Sequence, residues 1–211
     1  MTETADAIIV GGGIAGASIA FHLARRGLKP TVLERRFVAA GATGRSSGVV
    51  RMHYDLEAES RLAWASFQYF RDWREIVGGE CGFTRTGFLQ IVPPQLNERL
   101  RANVAMHQHL GIPSLVVSAA DVRRLAPNFA TEDFELAAYE PESGYADPSG
   151  TAAAFLQAAR ARGAKLVQEC QVTAIRTQGG RVSQVETSRG AFSAPIVVNA
   201  AGPWAAEVGR M

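Results

Sequence analysis

Cysteine is scarce in this chain. Its 211 residues include two, Cys81 and Cys170, far apart and outside any CxxC or metal-ligand spacing. That leaves no basis for a disulfide framework or a cysteine-held metal, and both read as reduced, structural residues, Cys170 within a strand. A charge excess is also missing. The net charge is +2, the arginines are scattered, and no basic run is long enough for an interaction tail, so neither nucleic acid nor an anionic membrane is expected as a partner. Residues 7–24 carry no formal charge, yet Glu3 and Asp6 stand where a secretory signal needs basic residues. Gly11, Gly12, Gly13 and Gly16 would make a poor spanning helix. The expectation is a cytoplasmic protein with no membrane segment. At 47% hydrophobic residues, the chain can remove roughly 70% or more of its unfolded surface from water.

What the uncharged run does spell is a nucleotide-binding opening. Ile8, Ile9 and Val10 form a short apolar strand, and Gly11-x-Gly13-x-x-Gly16 follows as the turn into a helix. Gly11 permits the tight turn, Gly13 lets backbone approach a pyrophosphate with no Cβ in the way, and Gly16 lets helix and strand pack closely. Ile14 and Ala15 open the helix, whose unpaired N–H groups and positive dipole end favour an anion. The pattern predicts a helix to about Arg26, Gly27 just past its end, and a strand over 31–33 after Lys29-Pro30. Glu34 closes that strand 18 residues after Gly16, near the spacing at which an acid takes hydrogen bonds from ribose hydroxyls. A carboxylate there would repel a 2′-phosphate. Arg35 and Arg36 weaken that exclusion, though they read more simply as a solvated loop start.

Further along, residues 56–76 place Ala63, Phe67, Phe70 and Trp73 at helical spacing, a stripe that belongs to a core. The pattern then predicts a strand over 88–92 stopped by Pro93-Pro94, helices over 95–110 and 119–125, and a strand over 136–139. After a loop over 140–148 come a helix over 149–162 with Ser149 as N-cap, and strands over 165–170, 172–177 and 182–187. The last strand, 196–199, is apolar enough to be buried on both faces. It runs into Ala200-Ala201-Gly202-Pro203-Trp204, where small side chains let backbone approach a flat ligand. The alternation is that of an α/β fold.

Four stretches, IIVGGGIAGASIAFHLARRG with Glu34, GATGRSSGVVRMHY over 41–54, PESGYADPSG over 141–150 and VVNAAGPWA over 197–205, span nearly the whole chain. In this order they resemble the N-terminal half of the FAD-dependent amine and amino-acid oxidoreductases, the family of D-amino-acid oxidase, glycine oxidase, sarcosine oxidase and dimethylglycine dehydrogenase. The second stretch looks most like the sarcosine oxidase β-subunit. The resemblance implies a Rossmann-like FAD-binding domain made of 1–85 and 145–211, and part of a mixed-sheet substrate domain over 86–144, with the family's C-terminal portion absent. It implies that Gly11, Gly13, Ile14, Ala15 and Gly16 hold the FAD pyrophosphate and that Glu34, with Arg35 beside it, meets the adenosine ribose. Thr43, Gly44, Arg45, Ser46 and Ser47 match the loop that passes the pyrophosphate and flavin. Val172 matches a strand residue whose backbone contacts adenine, and Ala201, Gly202 and Trp204 match the loop that approaches the cofactor after the last strand. Arg51 aligns with an arginine that grips a substrate carboxylate, work suited to a bidentate guanidinium; a surface ion pair is the plainer alternative.

The implied chemistry is hydride transfer to flavin from the carbon beside an amine nitrogen, which needs no dedicated base if the amine binds neutral, so no catalytic base is assigned and no metal is expected. Where dimethylglycine-dehydrogenase relatives bond flavin covalently through a histidine, this chain has Arg45, so noncovalent FAD is expected. A small amine or amino acid would be the substrate, and a partner subunit or the missing C-terminal half would complete the pocket. Alone, the chain is expected to bind FAD weakly and turn over little. A 2-hydroxy-acid oxidase of the same superfamily, a non-catalytic FAD-binding subunit or module, and an NAD-dependent dehydrogenase remain alternatives.

Overall fold

The computed structural model describes residues 2–211. In chain order its elements are β1 (Glu3–Thr4), β2 (Ala7–Val10), α1 (Ile14–Arg25), β3 (Pro30–Leu33), β4 (Val49–Val50), α2 (Glu57–Arg71), α3 (Trp73–Ile76), β5 (Thr84–Arg85), β6 (Phe88–Ile91), α4 (Asn97–His109), β7 (Leu115–Ser118), α5 (Ala119–Leu125), β8 (Leu136–Glu140), β9 (Gly144–Tyr145), α6 (Pro148–Arg160), β10 (Lys165–Val167), β11 (Val172–Gln178), β12 (Arg181–Thr187), β13 (Gly190–Ser193), β14 (Val197–Asn199) and α7 (Ala205–Val208). Among the described residues, no helix is long and apolar enough to cross a membrane. The chain divides into two compact units: residues up to Ser47 with Val77–Cys81 and Asp147–Met211, and Gly48–Ile76 with Gly82–Ala146.

The first unit is built on a parallel sheet of order β10-β3-β2-β14. Every residue of β2 and β3 is buried, which is why neither strand alternates apolar with exposed polar residues; the one polar side chain, Thr31, is itself buried. Successive side chains point to opposite faces. Ile8 and Val10 join Leu33, Val172, Val185 and Phe192 in a core shared with the β11–β13 meander, while Ile9 lies beneath Gly16 of α1. Small residues on α1 (Ala17, Ala20, Ala24) accompany its close packing with α6, and Phe21 meets Phe155 with ring centroids 5.2 Å apart. Gly27, at φ +85°, ends α1 as expected.

In the second unit a three-stranded antiparallel sheet of order β6-β8-β7 is covered on both faces. Ala138 packs with Leu100 and Val104 of α4, and its neighbour Ala137 packs with Val122 of α5. A smaller sheet, β4-β9-β5, completes the unit. Phe67 of the aromatic stripe is buried with Met52 and Ile112.

Several expectations shift. Residues 48–76, assigned from sequence to the cofactor domain, belong to the second unit, because β4 pairs with β9 and α2 packs through Phe67 on Met52. The long helix over 56–76 breaks at Asp72, which leaves helical geometry at φ −112°, ψ 34°. α6 starts before Ser149: Asp147 is its N-cap, accepting from Ser149 N–H at 2.9 Å, with Pro148 leading the helix. Cys170 lies outside any strand, because Glu169 turns the chain with φ +51° between β10 and β11. It is buried and, like Cys81, in no disulfide. β14 is an edge strand, so Val197 and Val198 are half-buried and Asn199 is exposed rather than covered on both faces. Sequence periodicity missed β1, β7 and β13 and the two-residue strands, which are too short to show a period.

Candidate functional site

The order β3-β2-β14 reverses direction at β2: the chain leaves β2 for β3 on one side and returns as β14 on the other. Ligands of open α/β sheets bind at such a switch point, beyond the carboxyl ends of the strands. A cavity of about 300 Å³ opens there, at the small end of the usual range for small-molecule sites.

Its floor is backbone. Gly11 stands at φ +112°, and a Cβ on it would lie 2.5 Å from the Ala200 carbonyl oxygen, while a Cβ on Gly16 would lie 2.0 Å from the Gly11 oxygen. Neither position admits a side chain. Gly13 is the N-cap of α1 and offers no capping group. Thr43 supplies one, its Oγ1 accepting from Ile14 N–H at 3.0 Å and standing 3.0 Å from where a Gly13 Cβ would sit. The first turn of α1 contains no acid, so its dipole end is not neutralised by its own side chains.

Glu34 tethers this turn. Its Oε2 accepts from Gly12 N–H at 2.7 Å and its Oε1 from Arg36 N–H at 2.8 Å, leaving lone pairs on both oxygens for further donors. The loop before β4 folds back on the turn: Ala39, at φ +62°, donates to the Gly12 carbonyl at 3.1 Å and accepts from Gly44 N–H at 2.9 Å. On the rim, Trp204 stacks under the Arg35 guanidinium at 4.3 Å and lies 3.0 Å from a Cβ built on Gly41.

Of the residues singled out from sequence, Gly11, Gly13, Ile14, Ala15, Glu34, Arg35, Thr43, Arg45, Val172, Ala201, Gly202 and Trp204 line the cavity. Gly16 and Gly44 do not: each is pressed against backbone, Gly44 with its Cβ position 2.5 Å from the Ala39 oxygen. Ser46 and Ser47 are exposed outside it. Sequence reasoning missed Gly12, whose bond to Glu34 no motif encodes, and the lining residues Cys170, Gln171 and Glu207. The basic groups Arg35, Arg36 and Arg45 together with the α1 N-terminus suit a diphosphate.

Arg51 lies in the second unit. Its guanidinium sits over the rings of Tyr54 and Phe88 at 4.9 and 5.1 Å and reaches Gln90 Oε1 at 3.5 Å. It forms no ion pair among the described residues, so its charge is held by aromatic faces with no carboxylate bound. With His53, Tyr54, Gln90 and Arg99 it lines a cavity of about 420 Å³ within this unit. Burial, then the neighbouring His107 and Arg51, push His53 down to about 4 against an opposing pull from Asp55, so its imidazole is neutral at pH 7.

A glycine turn into a helix at a sheet switch point, an acid ending the second strand and a small-residue loop after the last strand define a dinucleotide-binding oxidoreductase fold. A family model described as FAD dependent oxidoreductase matches residues 6–211, and the chain belongs to that family. It is 36% identical over 220 residues to mitochondrial sarcosine dehydrogenase of Mus musculus, covering 100% of this chain and 24% of that protein. It is 31% identical over 209 residues to the mitochondrial pyruvate dehydrogenase phosphatase regulatory subunit of Mus musculus, covering 97% and 24%. The crystal structure of L-proline dehydrogenase from P. horikoshii matches with a TM-score of 0.94 at 28% identity, covering 100% of this chain and 56% of that one. The chain therefore spans about a quarter of the length of these curated relatives.

Proposed function

We propose that this chain forms the cofactor-binding part of an FAD-dependent oxidoreductase that oxidises the C–N bond of a small amino acid or N-methylated amine. The observation that carries this reading is the cavity at the β2 switch point, where the turn at Gly11 and Gly13 brings bare backbone to the cavity wall and the α1 N-terminus with its neighbouring arginines suits a dinucleotide. The α1 N-terminus, Gly11, Gly13 and Thr43 would hold the pyrophosphate. Glu34 would accept from ribose hydroxyls through its remaining lone pairs while keeping Gly12 in place. Val172 would meet adenine by its backbone, and Arg35, Arg45, Ala201, Gly202 and Trp204 would bound the rest. Gly44, Ser46 and Ser47 would shape and extend the loop around Thr43. Binding would be noncovalent, since Arg45 stands where covalent relatives carry histidine. The chemistry supplied by FAD when bound is hydride acceptance from a carbon beside an amine nitrogen. Arg51, in no ion pair among the described residues, would bind the substrate carboxylate. Activity would require chain beyond these residues or a partner subunit, and we place the protein in the cytoplasm.

Similarity to a protein named as a regulatory subunit supports a second reading, cofactor binding without turnover. A fluorescence titration of the purified chain with FAD, then with NAD, tests the first. Saturable FAD binding, weakened at least about tenfold by Gly13→Val, supports it. Preference for NAD, or no FAD binding by the folded chain, overturns it. Anaerobic bleaching of bound flavin by sarcosine, proline or glycine, against a 2-hydroxy acid, then separates an amine oxidoreductase from a 2-hydroxy-acid oxidase and from a silent module.

A further inference from the structure

The second unit holds a polar cluster that the proposed function does not use. His53 follows β4, His107 lies in the last turn of α4, and Glu140 ends β8. Their exposures are 4%, 0% and 0%, and each offers a ligand atom within 4.8 Å of the other two. His53 Nδ1, His107 Nδ1 and Glu140 Oε1 are buried without a hydrogen-bond partner. Orphaned atoms of this kind cost about 1–3 kcal/mol each if nothing meets them.

The opposite sides of two of these groups are already committed. Ser60 donates its hydroxyl to the Tyr54 carbonyl at 3.2 Å, and His107 Nε2 lies 3.0 Å from that carbonyl and 3.1 Å from Ser60 Oγ. A carbonyl can only accept, so Nε2 carries the proton and Nδ1 presents a bare lone pair to the cluster. Glu140 Oε2 accepts from Met52 N–H at 2.9 Å and Ser143 Oγ–H at 2.8 Å, which leaves Oε1 free. Glu140 forms no ion pair among the described residues. A buried carboxylate without a cation is costly, and a histidine whose second nitrogen donates to a backbone carbonyl is oriented as metal-bound histidines are.

We propose that His53, His107 and Glu140 form a divalent-cation site of the zinc class, with water in the fourth position. Two imidazoles and one carboxylate make an N/N/O set suited to Zn²⁺. Bonds of about 2.0–2.1 Å at a tetrahedral angle put ligand atoms about 3.3 Å apart, so the cluster closes by at most about 1.5 Å, within reach of side-chain rotation. His53 also faces the second unit's cavity, which gives ion and water a way in. The bound cation would tie the segment carrying Arg51 and His53 to α4 and β8 within this unit. A buried water or a shared proton could satisfy the same three atoms, and the two cases differ in stoichiometric metal binding.

The test uses the full untagged chain, stripped with a chelator and desalted, with Zn²⁺ measured by equilibrium dialysis and metal analysis. Binding of one equivalent per chain, a raised melting temperature and a visible tetrahedral Co²⁺ spectrum are expected. His53→Gln and Glu140→Gln should each weaken binding by at least about 100-fold. The Co²⁺ spectrum of the unmutated chain remains decisive if either variant fails to fold. Absence of stoichiometric binding, or binding kept by both folded variants, overturns the site.

Discussion

In the first unit the cavity is walled in good part by main chain, whose tight turn exists because neither Gly11 nor Gly16 has room for a Cβ against neighbouring backbone, and a single carboxylate, Glu34, braces the turn. In the second, the polar centre is made of side chains alone, delivered by a loop, a helix and a strand far apart in sequence. A site of backbone tolerates no added volume, whereas a site of side chains is sensitive to any deletion. The difference also separates the two proposals: an extended dinucleotide along the glycine turn in one unit, a compact divalent ion among side chains in the other.

Substitutions can break or sharpen that contrast. Gly16→Val, which drives side-chain atoms into the Gly11 carbonyl, should cost about 4 kcal/mol or more and abolish FAD binding. A loss below about 1 kcal/mol in denaturant unfolding would mean that the turn relaxes and is not the rigid element described. Leu100→Ala, which empties a side chain 2% exposed between α4 and β8, should cost about 3 kcal/mol. Glu34→Ala removes two charge-assisted bonds to backbone and should cost about 2 kcal/mol while weakening FAD binding. If stability falls but FAD affinity does not, Glu34 braces the turn without touching the ribose. The smallest effect is expected for Ser118→Ala. Ser118 and Asp121 form a reciprocal cap on α5, and its loss should lower stability by about 1 kcal/mol in the same assay with no change in FAD binding.

The same contrast explains what could be read from sequence. The glycine turn, α1, β3 and Glu34 are contiguous and each obeys a local rule, so the strand-turn-helix-strand that walls the first unit's cavity was legible in the sequence. Glu34's bond to Gly12 was not, because the acid's partner is fixed by how the turn folds rather than by spacing. The start of α6 was misplaced because Asp147 and Ser149 are both good caps, and Pro148 decides between them only once its position at the helix start is seen. The grouping of 48–76 with the second unit depends on β4 meeting β9 across most of that unit's sequence. His53, His107 and Glu140 share no motif at all, and only the folding of three separate segments brings the three side chains together.

The pairing of β2 with β14 has a consequence for biosynthesis. Val10 lies beside Asn199 in register, and the next residue, Ala200, supplies the carbonyl that seals Gly11. A ribosome therefore makes the glycine turn well before the strand that closes its open side, with every strand of the second unit in between. Until then β2 offers an unpaired apolar edge to its surroundings, the condition under which parallel sheets fold slowly and attract chaperones.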